Sequence, residues 1–233
     1  MLKLPRLSTT VVLHTYPLKF DTDMLLRETP LEGGIIKIEK RGILRRGESK
    51  RDKIKRRNPK PVASSGFGHN SVTTVIMTDG DGAQPMKEIT IKIFHNGVFH
   101  MTGVLHPSYE TDVLRILREK VPAACVKEGG WDGGEAVRRV LLMNYSTAFE
   151  GEPKISRVAL QRYFQERDIQ AEFEPDVSPC VKVVFPEHRW TACIFRTGKI
   201  NLTALKSHED CTRFVALLEP HLRSYVESIP TSS

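Results

Sequence analysis

The side chains best placed to do chemistry in this chain are cations. Between Lys37 and Lys60 stand Lys40, Arg41, Arg45, Arg46, Lys50, Arg51, Lys53, Lys55, Arg56 and Arg57, opposed only by Glu39, Glu48 and Asp52. The whole chain carries a formal net charge of +7. This one segment accounts for the excess, and the remainder is near neutral. A run of that density favours polyanions, nucleic acid first. Arg45, Arg46, Lys50, Arg51, Lys53, Lys55, Arg56 and Arg57 are the candidate phosphate ligands. The same composition suits a solvated loop, and both readings can hold together, because a disordered basic loop still adds phosphate contacts.

Bond-making chemistry has no comparable footing. No carboxylate pair, nucleophile–base cluster, phosphate-cradling glycine loop or G-x-S-x-G stands out. His95, His100, His188 and His208 lack metal spacing. Asp79-Gly80-Asp81-Gly82 lacks the remaining ligands of a calcium loop and reads as a turn. Cys125, Cys180, Cys193 and Cys211 form no C-x-x-C pair, so reduced thiols in an intracellular protein are expected rather than zinc. No enzymatic activity, metal or cofactor is expected. No apolar run approaches the roughly 20 residues of a membrane span, and Met1-Leu2-Lys3-Leu4-Pro5-Arg6 lacks the apolar core of a secretory signal.

A second pattern is a repeat. Thr90-Ile91-Lys92-Ile93-Phe94-His95-Asn96-Gly97 runs on to Met101-Thr102, and Thr191-Ala192-Cys193-Ile194-Phe195-Arg196-Thr197-Gly198 runs on to Leu202-Thr203. The shared frame is T-x-x-I-F-x-x-G-x-x-x-x-T. A spacing of roughly 100 residues is too long for a solenoid and points to a duplicated half-domain.

The elements that must position these residues follow from pattern. β-branched runs predict strands at 8–15, 35–38, 72–77, 137–145, 169–173 and 180–185. Residues 88–94 and 98–104 form one hairpin, with Asn96-Gly97 accepting the positive φ of a tight turn, and 190–195 and 199–205 form the second. Helices are expected at 21–27, 109–120, 156–166 and 208–226, the last with Ser207 and Asp210 as a reciprocal N-cap. Pro59, Pro61, Gly66 and Gly68 mark a loop. Trp131 and Trp190 are expected to pack. Side chains alternate faces along a strand. Ile89, Ile91, Ile93, Phe99 and Met101 therefore share an apolar face, as do Ala192, Ile194, Ile200 and Leu202. The opposite face mixes Phe, Thr, Lys and Asn in both copies. Water gives no reason to keep a repeated Phe there.

This combination resembles the TATA-box-binding protein family. Its hairpin wording, I-F-x-x-G-K-x-x-x-T-G-A-K-S, is similar to Ile93-Phe94 through Thr102-Gly103 and to Ile194-Phe195 through Thr203-Ala204-Leu205-Lys206-Ser207. Phe173-Glu174-Pro175-Asp176-Val177 with Pro179 looks like its Y-E-P-E-L-F-P, and Val75-Ile76-Met77 like its V-I-M strand. The long basic insertion looks most like the versions encoded by large nucleocytoplasmic DNA viruses.

The resemblance implies an α+β fold: a pseudo-twofold saddle of two repeats, with one curved antiparallel sheet and long helices on its convex side. The repeats would span 1–121, with the basic insertion at about 40–66, and 134–229, joined by a linker at 122–133. It implies a transcription initiation factor that grips and bends A·T-rich double-stranded DNA through the minor groove and engages a transcription factor B-like protein and RNA polymerase. The site would be the host nucleus, or a viral factory or virion. Carried over by position, Phe94 and Phe195 are wedge residues, with Val72 and Ser178 at the partner wedge positions. Thr102 and Thr203 face the groove floor, and His100 and Asn201 replace a floor valine. Ser8 and Val140 fall near the family's paired asparagines. Thr74, Lys92 and Lys199 complete the expected DNA-facing set. The alternative is a protein-interaction platform whose DNA binding is sequence-independent and runs through the basic segment.

Overall fold

The computed structural model describes residues 1–57, 70–131, 136–151 and 153–228, without the side chains of 55–57. The loop expected around Pro59 to Gly68 and the Gly133-Gly134 pair lie outside the described residues. The chain divides into two compact units, one of residues 11–141 and one of residues 1–10 with 142–233.

The unit of residues 11–141 holds the end of β1 (Arg6–Thr15), β2 (Leu18–Phe20), α1 (Thr22–Glu28), β3 (Ile35–Lys40), β4 (Leu44–Gly47), α2 (Lys50–Arg57), β5 (Ser71–Thr78), β6 (Lys87–Phe94), β7 (Val98–Thr102), α3 (Pro107–Lys120) and β8 (Val126–Gly129). Its sheet runs β1-β7-β6-β5-β3-β4, antiparallel throughout. Period-two alternation sends Ile89, Ile91, Ile93, Phe99 and Met101 to one face, and all five are fully buried. On that face α1 packs against β3 and β5, and α3 packs against β5. Trp131 closes this core, its ring stacked on Phe99 at 5.6 Å with Tyr16 and Phe20 edge-on.

The other unit holds the end of β9 (Val137–Ala148), α4 (Arg157–Gln165), β10 (Gln170–Glu172), β11 (Cys180–Phe185), β12 (Trp190–Phe195), β13 (Lys199–Leu205) and α5 (His208–Ser228). Its strand order, β10-β11-β12-β13-β9, repeats β3-β5-β6-β7-β1 element for element. The α+β class and the duplication are thus as the sequence predicts. Val181, Val183, Ile194, Ile200 and Leu202 are fully buried, facing α4 and α5, whose apolar stripes include Leu160, Phe164, Phe214, Leu218 and Leu222. Trp190 packs against Phe214.

Three features depart from expectation. The basic segment is not plain loop: it builds β4 and α2. β2 and β8 form a small separate pair. The hairpin turns are three-residue loops in which Gly97 and Gly198 take positive φ and Asn96 does not, the geometry of a turn ending in a left-handed glycine. A Cβ at Gly97 would sit 2.4 Å from the Tyr16 carbonyl, so the close approach of the chain also requires glycine there.

One buried ionic cluster sets a pH response. Glu110 Oε1 lies 2.5 Å from His14 Nε2 and 2.6 Å from Arg138 Nε. Burial alone would raise the Glu110 pKa, but the bonds from His14 and Arg138 outweigh it and bring the carboxyl down to about 2. A depressed carboxylate pKa stabilises the fold above its unfolded value, and that contribution is lost as pH falls through the folded one. Denaturant unfolding between pH 5 and pH 2 should lose about 3 kcal/mol from this group. In Glu110→Gln that part of the acid dependence should be missing.

Candidate nucleic-acid interface

In each unit the face opposite the helices carries the repeated polar residues. Strand register explains why the frame keeps threonine at both ends: Thr90 stands opposite Thr102, and Thr191 opposite Thr203. The first and last residues of the repeated wording are cross-strand neighbours, and Thr203 Oγ1 donates to the Thr191 carbonyl at 3.3 Å. Phe94 and Phe195 share this face and are half-buried. Their cross-strand partners are Ser71 and Cys180, so each unit sets a single aromatic beside a small polar residue.

The structure corrects the residues expected beside them. Val72 and Thr74 stand opposite Ile93 and Ile91 and are fully buried on the helix-packed face. Among the described residues the Thr74 hydroxyl has no hydrogen-bond partner. On β5 the helix-free parity belongs to Ser71, Thr73 and Val75, because an odd step along a strand changes the face, and of these only Thr73 is partly exposed. Ser178 sits in the turn before β11, where its hydroxyl accepts from the Cys180 N–H at 3.4 Å.

His100 lies between Lys92 and Leu13 on neighbouring strands, and Asn201 between Cys193 and Ser146. Each stands two residues before its threonine, on the same face. Burial, with the Lys92 ammonium, pushes the His100 imidazole below its usual range and favours the neutral ring. Burial and Cys180 push the Cys193 thiol up to about 11, so it stays protonated. Lys199 is exposed, opposite Ala148.

The basic segment separates into two groups. Arg46 is not a free phosphate ligand: its guanidinium donates to the Leu26, Arg27 and Thr29 carbonyls at 3.1, 2.7 and 2.9 Å, closing the end of α1. Arg45 pairs with Asp52 at 3.1 Å. Lys37, on the polar face opposite Val75, is only 4% exposed and reaches Asp52 Oδ1 at 3.1 Å and Glu39 at 2.7 Å. Asp52 also accepts from the Ser49 N–H at 3.0 Å and hydroxyl at 2.7 Å. Burial opposes its ionisation, yet the bonds from Ser49 and Lys37 bring its carboxyl down to about 2. Glu88, also on the polar face, accepts from the Lys50 N–H at the start of α2, where a carboxylate is favoured by the helix dipole. The basic helix is therefore clasped onto that face by its first turn. Lys50, Arg51 and Lys53 are exposed there, and the side chains of Lys55, Arg56 and Arg57 lie outside the described residues. Sequence reading missed this clasp, although Ser49-x-x-Asp52 is a helix-start signal.

Residues 154–225 match the family model described as transcription factor TFIID (or TATA-binding protein, TBP). Among solved structures, Methanococcus jannaschii TBP superposes with a TM-score of 0.57 at 16% identity, over 95% of this chain and 99% of that one. No curated protein matches the sequence. The fold is thus that of the TATA-binding proteins, a class of DNA-binding transcription factors. The family match lies within the second repeat, and the superposition extends the likeness in fold to 95% of this chain.

Proposed function

We propose that this protein is a non-catalytic transcription initiation factor that binds and bends double-stranded DNA by laying the polar faces of a saddle-like sheet against the minor groove. The observation that carries this is the duplicated arrangement of one phenylalanine and one threonine pair on the helix-free face of each unit. TATA-binding proteins are themselves the type example of minor-groove wedging by aromatic side chains. Hydroxyl groups suit a groove floor that presents mainly acceptors at A·T pairs, and flexible TA steps reduce the cost of bending. A transcription factor B-like protein and RNA polymerase are the partners this role requires. The insertion fits a viral version of the family, acting in a host nucleus or a viral factory. Footprinting on A·T-rich duplex at low salt tests the reading: it predicts a protected minor groove, and absence of any footprint overturns it.

A second reading is favoured by the small residues Ser71 and Cys180, which stand directly across from Phe94 and Phe195 where a second ring could have been. Here the polar faces bind protein, and DNA is held without sequence preference by the clasped basic helix. The two readings share one expectation about phosphate. Converting Lys50, Arg51 and Lys53 together to Gln should make the salt dependence of log K shallower by about 3, at roughly 0.9 per phosphate contact. If A·T preference survives that change, the sheet reads the groove. If binding vanishes altogether, the second reading holds.

A further inference from the structure

The centre of each polar face holds an acceptor where an A·T-only reader needs none. His100 and Asn201 occupy matching places, each two residues before the threonine of its β7 or β13 and each flanked on both neighbouring strands. Asn201 is exposed, and its amide has no hydrogen bond among the described residues. Its Oδ1 accepts and its Nδ2 donates. His100 is half-buried. Its depressed basicity leaves one ring nitrogen without a proton, and that nitrogen is an acceptor.

The floor of the minor groove offers adenine N3 and thymine O2, both acceptors. It offers one donor, the guanine N2 amino group. An acceptor aimed at the floor therefore finds a partner only at a G·C pair. At A·T the neutral His100 ring can present its N–H to the floor acceptor instead, so what its bare nitrogen adds is tolerance of a G·C pair. Asn201 can do more: its oxygen can take the guanine amino hydrogen while its NH₂ meets a neighbouring acceptor.

We propose that His100 and Asn201 are specificity-determining residues that accept a hydrogen bond from the guanine amino group, so that each repeat admits a G·C pair at one position of an otherwise A·T-rich site. This rests on the minor-groove reading above, and the experiment separates the two.

The test is a competition series on one A·T-rich duplex in which each pair in turn is changed to G·C or to inosine·C. Inosine keeps every guanine group except the N2 amino group, so the G-to-I difference isolates that contact. At one position per repeat, G·C should bind at least as well as A·T, and G-to-I should cost about 10-fold, the scale of one good base contact. Asn201→Val should erase the G-to-I difference at one of these positions, and His100→Val at the other. Valine suits a strand, and the circular dichroism of both variants should match the parent. G·C disfavoured at every position, with inosine restoring affinity, would overturn the proposal, since the amino group would then be an obstacle. Variants that leave the G-to-I differences in place would overturn it too. Equal affinity for all duplexes, with no competition from a minor-groove-binding polyamide, would instead remove the groove reading itself and this inference with it.

Discussion

Replacing Phe94 and Phe195 together by alanine should weaken binding to A·T-rich duplex by about 100-fold and abolish bending. Contacts between an aromatic ring and a base contribute about 1–3 kcal/mol each, and each tenfold change in affinity is about 1.4 kcal/mol. Each unit pairs its phenylalanine with Ser71 or Cys180, so among the described residues no second ring stands directly across from it. Each single substitution should cost about 10-fold. Both rings are half-buried, so unfolding free energy should change far less than if they were core residues. Gel shift with end-labelled duplex gives the affinity, and energy transfer between the duplex ends gives the bend. Unchanged binding and bending in the double variant would remove the sheet from the interface and leave the basic helix as the DNA contact.

Asp52→Ala should have an effect opposite in sign to its charge. It makes the protein more positive, which by itself favours a polyanion. It also dismantles the clasp that gathers Ser49, Lys37 and Arg45 around one carboxylate. Removing one partner of a buried ion pair costs about 3 kcal/mol or more, and here that falls on the segment holding α2 to the polar face. Amide exchange should accelerate across residues 44–54, and DNA affinity should fall several-fold despite the added charge. With the folded Asp52 pKa near 2, below its unfolded value, the clasp is fully formed above about pH 4 and loosens only as pH falls toward 2. Affinity that rises in Asp52→Ala would show that α2 acts by charge alone.

Much of this was legible in the sequence because period-two alternation is strong where one face is wholly aliphatic. Ile89, Ile91 and Ile93 fix the face of Phe94 and Thr90 without any knowledge of topology. The duplicated hairpins were therefore read correctly, as were the helices that end each repeat. β5 was harder. Ser71-Val72-Thr73-Thr74-Val75-Ile76 has no clean alternation, since β-branched residues of similar polarity occupy both faces. Its parity is decided by pairing with β6, which is a tertiary fact, and motif resemblance chose the wrong side for Val72 and Thr74. The basic segment failed for another reason. Its order comes from Lys37, Glu88 and the open carbonyls at the end of α1, all distant in sequence from α2, and composition cannot report such partners.

The division of β1 has a consequence for synthesis. Residues 1–10 belong with residues 142–233, and the bonds that tie them there are long-range: Leu2 N–H to Glu219, Lys3 N–H to the Ala148 carbonyl, and Thr147 to the Lys3 carbonyl. The unit of residues 11–141 is contiguous and can fold as it leaves the ribosome, since domains fold as units in order of emergence. Residues 1–10 are made well before residues 142–219, to which they bond. A strand whose two ends answer to different partners thus acts as a clock on the nascent chain.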